Sequence, residues 1–417
     1  MRLTRIVDIS LWILLLLTVL RTTVLIRRRD TDDFAAIDTS ATFAILLIAA
    51  IIALLAVHPR ARGSLVRLGQ SSARYLLAYL GLAALSAFWS LNPEFTLFRA
   101  GEVIAIFGAF FVLMEGFENW RHAERAMLVS LMVVTVLAFL QRVITGGISV
   151  ESLHTNVYTV TAGMGFLYTL GESLRADPQR RASLRRWMAG FAFFAVVGTS
   201  AGSNIGIALA MLVLLPFLSS SKLVIVPGAL ACIGLVLIMG TSEEIVETTL
   251  LSGRTIDEAQ QLTGRMYLWN AYWTAFKESP ILGHGFAIVA RLGDQFGGLA
   301  TTNAHNGFIE AGAGLGLVGF ALLLFYSFRL VLETLSATRM QIAGGLGCLV
   351  AIIMMLANNN SKSILGGAYD PTVVGVMAML AFFHSFTMRA TRAKEAERRG
   401  RADAAAGLNN GTAPARP

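Results

Sequence analysis

The chain is a succession of long apolar runs separated by short polar linkers. The runs fall near residues 9–26, 40–57, 75–90, 100–117, 126–144, 156–174, 187–199, 203–218, 222–241, 307–332, 341–357 and 372–388. Most are about 18 residues or longer, the length at which a helix crosses a ~30 Å hydrocarbon core. Hydrophobicity is continuous within each run rather than alternating, which selects helices over barrel strands. The pattern predicts an all-α polytopic membrane protein of about twelve transmembrane helices, forming one membrane domain over residues 1–388. A long loop, 242–306, interrupts it. Inside that loop Thr263 can cap a helix that starts near Arg265, and Pro280 stops it. Tyr267, Trp269, Tyr272, Trp273 and Phe276 give this helix the aromatic character of an interfacial element. Residues 389–417 form a tail with too little apolar surface to fold, and it is expected to be disordered.

Composition narrows the class further. Hydrophobic residues make up 55% of the 417 and charged ones only 14%, against roughly 25% charged in soluble domains; a water-exposed globule is excluded. The net charge of +8 does not point to nucleic acid, because Lys and Arg concentrate in short linkers and the tail. His58–Arg74 carries Arg60, Arg62, Arg67 and Arg74. The linker after the sixth helix carries Arg175, Arg180, Arg181, Arg185 and Arg186. The tail opens with Arg389, Arg392 and Lys394. Helix alternation puts all three on one side, which is then cytoplasmic, and the opposite loops 90–98, 145–155 and 358–371 are nearly neutral. Both termini are expected inside and the 242–306 loop outside. No small-residue cleavage site follows the first run, so it reads as an uncleaved helix. Cys232 and Cys348 both lie inside apolar runs and read as small core residues.

Charges at membrane depth are costly and mark candidate sites. On the outer side these are Arg99, Glu102, Arg142 and Glu310, joined by Arg254, Arg265, Arg291 and His305 from the long loop and by His154. Arg99 and Glu102, spaced i,i+3, can simply pair. The cationic excess suits a phosphorylated, membrane-anchored anion, whose oxygens match the guanidinium fork.

Three stretches carry a resemblance. LSAFWSLNPEFTLFRAGE contains Trp89, Ser90, Pro93 and Arg99. LTGRMYLW and ESPILGHGF contain Thr263, Gly264, Arg265, Trp269, Pro280, Gly283 and Gly285. AHNGFIE and GLVG contain His305, Asn306, Glu310, Gly316 and Gly319. In this order and on one face, they resemble the O-antigen ligase and polysaccharide polymerase superfamily (the Wzy/WaaL type), over about Leu85 to Phe325. SLHTNVYT, through His154 and Asn156, and GTSAGSNIG, through Ser200 and Ser203, resemble the exopolysaccharide-production polymerase branch, although Thr155 and Gly314 depart from the pattern.

The resemblance implies a GT-C-like enzyme of the bacterial inner membrane, with its active site in the periplasm. The implied substrate is an undecaprenyl-diphosphate-linked oligosaccharide, and no cofactor, metal or nucleic acid is implied. His305 would be the catalytic base, with Arg265 and Glu310 also catalytic. Arg99, Arg291, His154, Asn156, Asn306 and Trp269 would bind the substrate and its diphosphate. Membrane lipid, a chain-length regulator and a flippase of the same pathway are the expected partners. The implied reaction is polymerisation of repeat units, and the alternative is ligation of the glycan to lipid A-core. A polysaccharide flippase or exporter is a further alternative, but a transporter should carry polar residues near the bilayer midplane, whereas here they gather at the outer edge. Asp30 and Asp32 have a spacing that could hold a divalent cation, and Arg27–Arg29 beside them make a solvated acidic turn the simpler reading. The GAGLG run, 312–316, lacks the preceding strand of a nucleotide loop and reads as close helix packing.

Overall fold

The computed structural model describes residues 2–23, 39–147, 156–198, 201–218, 265–297, 303–367 and 370–397. All regular structure among them is helical. In chain order the helices are α1 (Arg2–Thr23), α2 (Thr39–Val57), α3 (Ala61–Leu68), α4 (Ala73–Leu85), α5 (Pro93–Glu115), α6 (Trp120–Gly146), α7 (Asn156–Ser173), α8 (Pro178–Val197), α9 (Ala201–Leu218), α10 (Arg265–Glu278), α11 (Gly307–Arg339), α12 (Gly345–Asn358) and α13 (Pro371–Phe382). Every expected apolar run on described residues is helical; the run at 222–241 lies outside them. Six of the described helices are long and apolar enough to cross a membrane, and α4, α9 and α12 are shorter apolar ones. The last helix continues through a π-helical turn, Phe383–Thr387, as far as Glu397. The described helix thus runs past residue 388. The helix carries on because Arg392 and Lys394 find acceptors on the Gln70 and Met340 carbonyls.

Helix starts follow local chemistry. Asn92–Pro93, Asp177–Pro178 and Asp370–Pro371 each place an Asx side chain at the N-cap and a proline at the first helical position. The Asx oxygen accepts an otherwise orphaned backbone N–H, and proline has none to lose. At Asp177 the Arg180 backbone N–H holds the carboxyl below its ordinary range, with the Arg121 and Arg180 charges adding to the effect.

The bundle has two distinguishable ends. At one end the basic linkers meet. Asp8 pairs with His58 at 3.0 Å and Arg60 at 2.5 Å, Arg67 pairs with Glu115, and Arg175 donates to the Thr338 carbonyl. At the other end, the turn after α4 meets residues 282–286, Gly307 donates to the Asn359 carbonyl, and Thr372 donates to that of Val157.

One helix departs from the expected regularity. α11 is broken at Gly316, whose φ of 64° and ψ of −163° are not helical. A break inside an apolar bundle frees backbone groups that no water can satisfy. Residues 280–285, expected to lie in a surface loop, fill it. Leu317 and Val318 donate to the carbonyls of Pro280 and Ile281, while His284 and Gly285 donate to those of Ala313 and Gly314. Gly314 and Gly316 of the GAGLG run therefore pack closely against an irregular segment, while Gly312 faces Phe276 of α10. A Cβ at Gly283 would lie 2.3 Å from the Gly314 oxygen, so the close approach excludes side chains.

Candidate active site

The inserted segment carries the site's frame. Trp89 donates its indole N–H to the Leu282 carbonyl at 3.1 Å. The Ser90 and Thr96 hydroxyls lie 2.7 Å apart, and Thr96 also donates to the Phe286 carbonyl. The Trp-Ser…Pro corner and the Pro-x-x-Gly-x-Gly element are thus two halves of one junction. Beyond it, Phe286, Ala287, Ile288, Val289 and Ala290 are buried. A compact apolar cluster joins Leu268, Ala271, Tyr272 and Ala275 of α10 to Ile288–Ala290, Ala304 and Ala313, with Phe95, Leu292 and Ile309 packed against it. Through this cluster α5, α10, the inserted segment and the start of α11 become one platform.

On that platform the Ala-His-Asn sequence has a mechanical explanation. The Ala304 peptide is clamped on both sides: its N–H donates to Glu310 Oε2 at 3.2 Å, and its carbonyl accepts from Trp269 Nε1 at 3.0 Å. Asn306 caps α11, its Oδ1 accepting from the Phe308 and Ile309 N–H groups. Between these two anchors His305 adopts φ 54°, uncommon for a residue with a side chain, and is exposed. Its own N–H donates to Asn303 Oδ1 at 2.9 Å. The imidazole is therefore presented outward on a fixed backbone.

The cationic part is assembled around α5. Glu102, fully buried, accepts from Arg99 at 2.8 Å and from Arg21 of α1 at 2.6 Å. The i,i+3 pairing of Arg99 with Glu102 is present, and a second arginine shares the carboxylate. The Arg99 guanidinium also lies 5.2 Å from the Phe95 ring and 5.4 Å from the Phe98 ring, and Arg291 lies 6.0 Å from the same Phe95 ring. Phe95 thus brings Arg99 and Arg291 to one place, consistent with the attraction of cations to aromatic faces.

The other expected site residues are placed less fully. Arg265 opens α10 and Asn156 opens α7, with side chains outside the described residues; His154 lies outside them entirely, as do Arg254 and Asp30–Asp32. Trp269 anchors the His305 backbone through its N–H, a role that stacking on a sugar does not require. Glu310 meets the Ala304 backbone, so it can orient His305 through the chain.

Several polar groups at this end escaped the sequence reading. Arg21 looks like an interruption of an apolar run, and its partner stands 81 positions away. His284 donates Nε2–H to the Ala275 carbonyl at 2.7 Å, since a carbonyl can only accept, and packs against Phe296. The loop 359–367 also belongs here. Asn359 accepts backbone N–H groups from Ile364 and Leu365, Tyr79 donates to the Gly366 carbonyl, and Lys362 pairs with Asp370 and Thr372. The only sequence signal was the polar run NNNSKS in an otherwise neutral outer loop.

Among known families, the model of one described as O-antigen ligase matches residues 187–324. The matched span takes in α10, the inserted segment and the Ala304–Glu310 stretch; the Trp89–Arg99 corner lies before it. The match, over about a third of the chain, supports the resemblance to the O-antigen ligase and polysaccharide polymerase superfamily. No curated protein matches the chain.

Proposed function

On the strength of that family match, we propose that the protein is an inner-membrane glycosyltransferase of about twelve spans that polymerises undecaprenyl-diphosphate-linked repeat units at the periplasmic face. The observation that carries the reading is the presentation of His305, held outward between a clamped alanine and a helix cap on the same apolar platform as Phe95, over which Arg99 and Arg291 gather. The acceptor hydroxyl oxygen attacks the anomeric carbon and inverts it. The bond from that carbon to the phosphate oxygen breaks, undecaprenyl diphosphate leaves with the electron pair, and His305 takes the hydroxyl proton. An ordinary imidazole is substantially neutral near pH 7 and can do this. Diphosphate is already a good leaving group, so it needs charge stabilisation, which Arg265, Arg99 and Arg291 supply. Asn306 supports His305 as the cap, and His154 and Asn156 complete the sugar-binding side. No metal or cofactor enters the reaction. A chain-length regulator and a flippase of the same pathway are the partners this role calls for.

A second reading, ligation of the finished glycan to lipid A-core, is favoured by the description of the matched family. Both use the same donor chemistry and differ in acceptor. Deleting the gene and complementing it with His305→Ala or Arg265→Ala separates them. Loss of polymerisation leaves monomeric lipid-linked repeat units in the periplasmic leaflet. Loss of ligation leaves polymeric lipid-linked glycan there. A flippase defect would trap the units in the cytoplasmic leaflet. Both variants are expected to insert normally and make no long product; normal product from both would remove the catalytic assignment.

A further inference from the structure

Two buried polar groups beside Glu310 have no partner among the described residues: the Nδ2 of Asn359 and the Oγ of Ser363. Asn359 is 0% and Ser363 3% exposed. The orientation of the Asn359 amide is fixed, because its Oδ1 already accepts from the Ile364 and Leu365 N–H groups at 3.0 and 2.8 Å. The orphaned end is therefore the donor. Leaving a buried donor unmade is costly, and such groups call for an explanation. Both stand against the start of α11. A Cβ on Gly307 would lie 2.7 Å from Asn359 Nδ2. A Cβ on Gly367 would lie 2.7 Å from the Ser363 Cβ and 2.9 Å from Glu310 Oε2. Only a residue without a side chain separates Ser363 from the carboxylate that holds the His305 loop.

We propose that Asn359 and Ser363, with Glu310, form a subsite for hydroxyl groups of the acceptor sugar, an inference that rests on the glycosyl-transfer reading. The chemistry selects the ligand. An amide N–H and a hydroxyl are neutral, and the one cation of this loop, Lys362, is already engaged by Asp370 at 2.9 Å and Thr372 at 2.5 Å. The neighbouring Glu310 would repel a phosphate. A sugar hydroxyl can accept from Asn359 and donate to a carboxylate at once, which no phosphate oxygen does. The anionic part of the donor is left to the arginines on Phe95. Both orphaned atoms are covered in this structure, so the sugar reaches them as the Gly366–Gly367 turn shifts, breaking the Tyr79 bond to the Gly366 carbonyl.

The test uses full-length protein in nanodiscs and two probes: the repeat-unit oligosaccharide released from its lipid, and undecaprenyl diphosphate without sugar. Ser363→Ala removes a hydroxyl that has no partner in the resting protein, so its unfolding temperature should be unchanged or higher. Its Kd for the oligosaccharide should weaken about tenfold, the value of one well-placed hydrogen bond, with binding of undecaprenyl diphosphate unaltered. Unchanged oligosaccharide binding by a folded Ser363→Ala, in a protein whose wild type transfers glycan, overturns the subsite alone. A wild type that transfers no glycan to any acceptor overturns the reading beneath it.

Discussion

Glu310 is the residue whose role the geometry alters most. One helical turn and more separates it from His305 in sequence, which made direct contact between the side chains an awkward expectation. The structure gives a different route: its Oε2 accepts the Ala304 N–H and so fixes the backbone one residue before His305. A positioning role for Glu310 would have a distinguishing consequence. Glu310→Gln keeps an acceptor oxygen at the same place and should retain most transfer activity, whereas Glu310→Ala should lose at least tenfold in kcat with a smaller change in KM. Equal loss in both variants would mean that the carboxylate's charge or basicity is needed. His305, Asn306 and Glu310 could be singled out because the resemblance groups them within six residues, where the structure has an exposed side chain, a helix cap and a backbone tether. Arg21 and Asn359 were not legible. Each acts through a partner that chain order hides, Glu102 for the first and the α11 start for the second. A lone arginine in an apolar run carries no local mark of the carboxylate it will meet.

Among the elements, the presence of the apolar helices was readable but their starts were not: the runs expected from 100 and 187 begin at Pro93 and Pro178, because Asx–Pro caps carry the helices back into polar sequence. The break in α11 was not readable. Glycines in a membrane helix serve close packing as often as distortion, and the segment that satisfies the broken ends lies upstream, in what reads as a surface loop. Gly316 is the pivot. Its φ of 64° is strained for any residue with a Cβ, and a Cβ there would stand 2.2 Å from the Ile281 carbonyl carbon. Gly316→Ala must therefore either expel residues 280–285 or distort them. Expulsion unties the Trp89 and Thr96 contacts and, through the shared apolar cluster, the His305 platform. Transfer should fall by more than tenfold while total helicity by circular dichroism stays the same, and protease cleavage within 280–297 should rise. Retained activity with retained protection of that segment would show that the break is not needed. α10 shows a milder form of the same limit. Its aromatic content suggested an interfacial helix, and Trp273 is indeed 58% exposed, stacked on Phe276. The preceding residue, Tyr272, is buried and Trp269 is tied to Ala304, a division that composition alone does not reveal.

At the scale of the molecule, the two ends are held by different physics, and this separates stability from function. The end where the basic linkers meet contains a buried ionic network. Arg180 bridges Glu124 at 2.5 Å and Glu172 at 2.7 Å, Tyr168 donates to Glu124, and Glu172 accepts the Gly344 and Gly347 N–H groups at the start of α12. One arginine thus ties α6, α7, α8 and α12. Removing it leaves two carboxylates in a poorly hydrated site, a defect that typically costs about 3–5 kcal/mol. Arg180→Leu should lower the unfolding temperature in detergent markedly, yet the folded fraction should transfer glycan at the normal rate per molecule, because the site is at the other end. A comparable loss per folded molecule would reveal coupling between the ends. The same polarity gives the final test, of sidedness. Loop charge placed the basic linkers inside, and their meeting at one end of the bundle gives that inference a geometric partner. Exposed Gln70 lies at this end, and exposed Gln295 lies in the segment carrying the site frame. In a background with Cys232→Ser and Cys348→Ser, Gln295→Cys should react with a membrane-impermeant maleimide in intact spheroplasts. Gln70→Cys should react only after permeabilisation. The reverse pattern would put the candidate site on the cytoplasmic side and overturn the proposed periplasmic role.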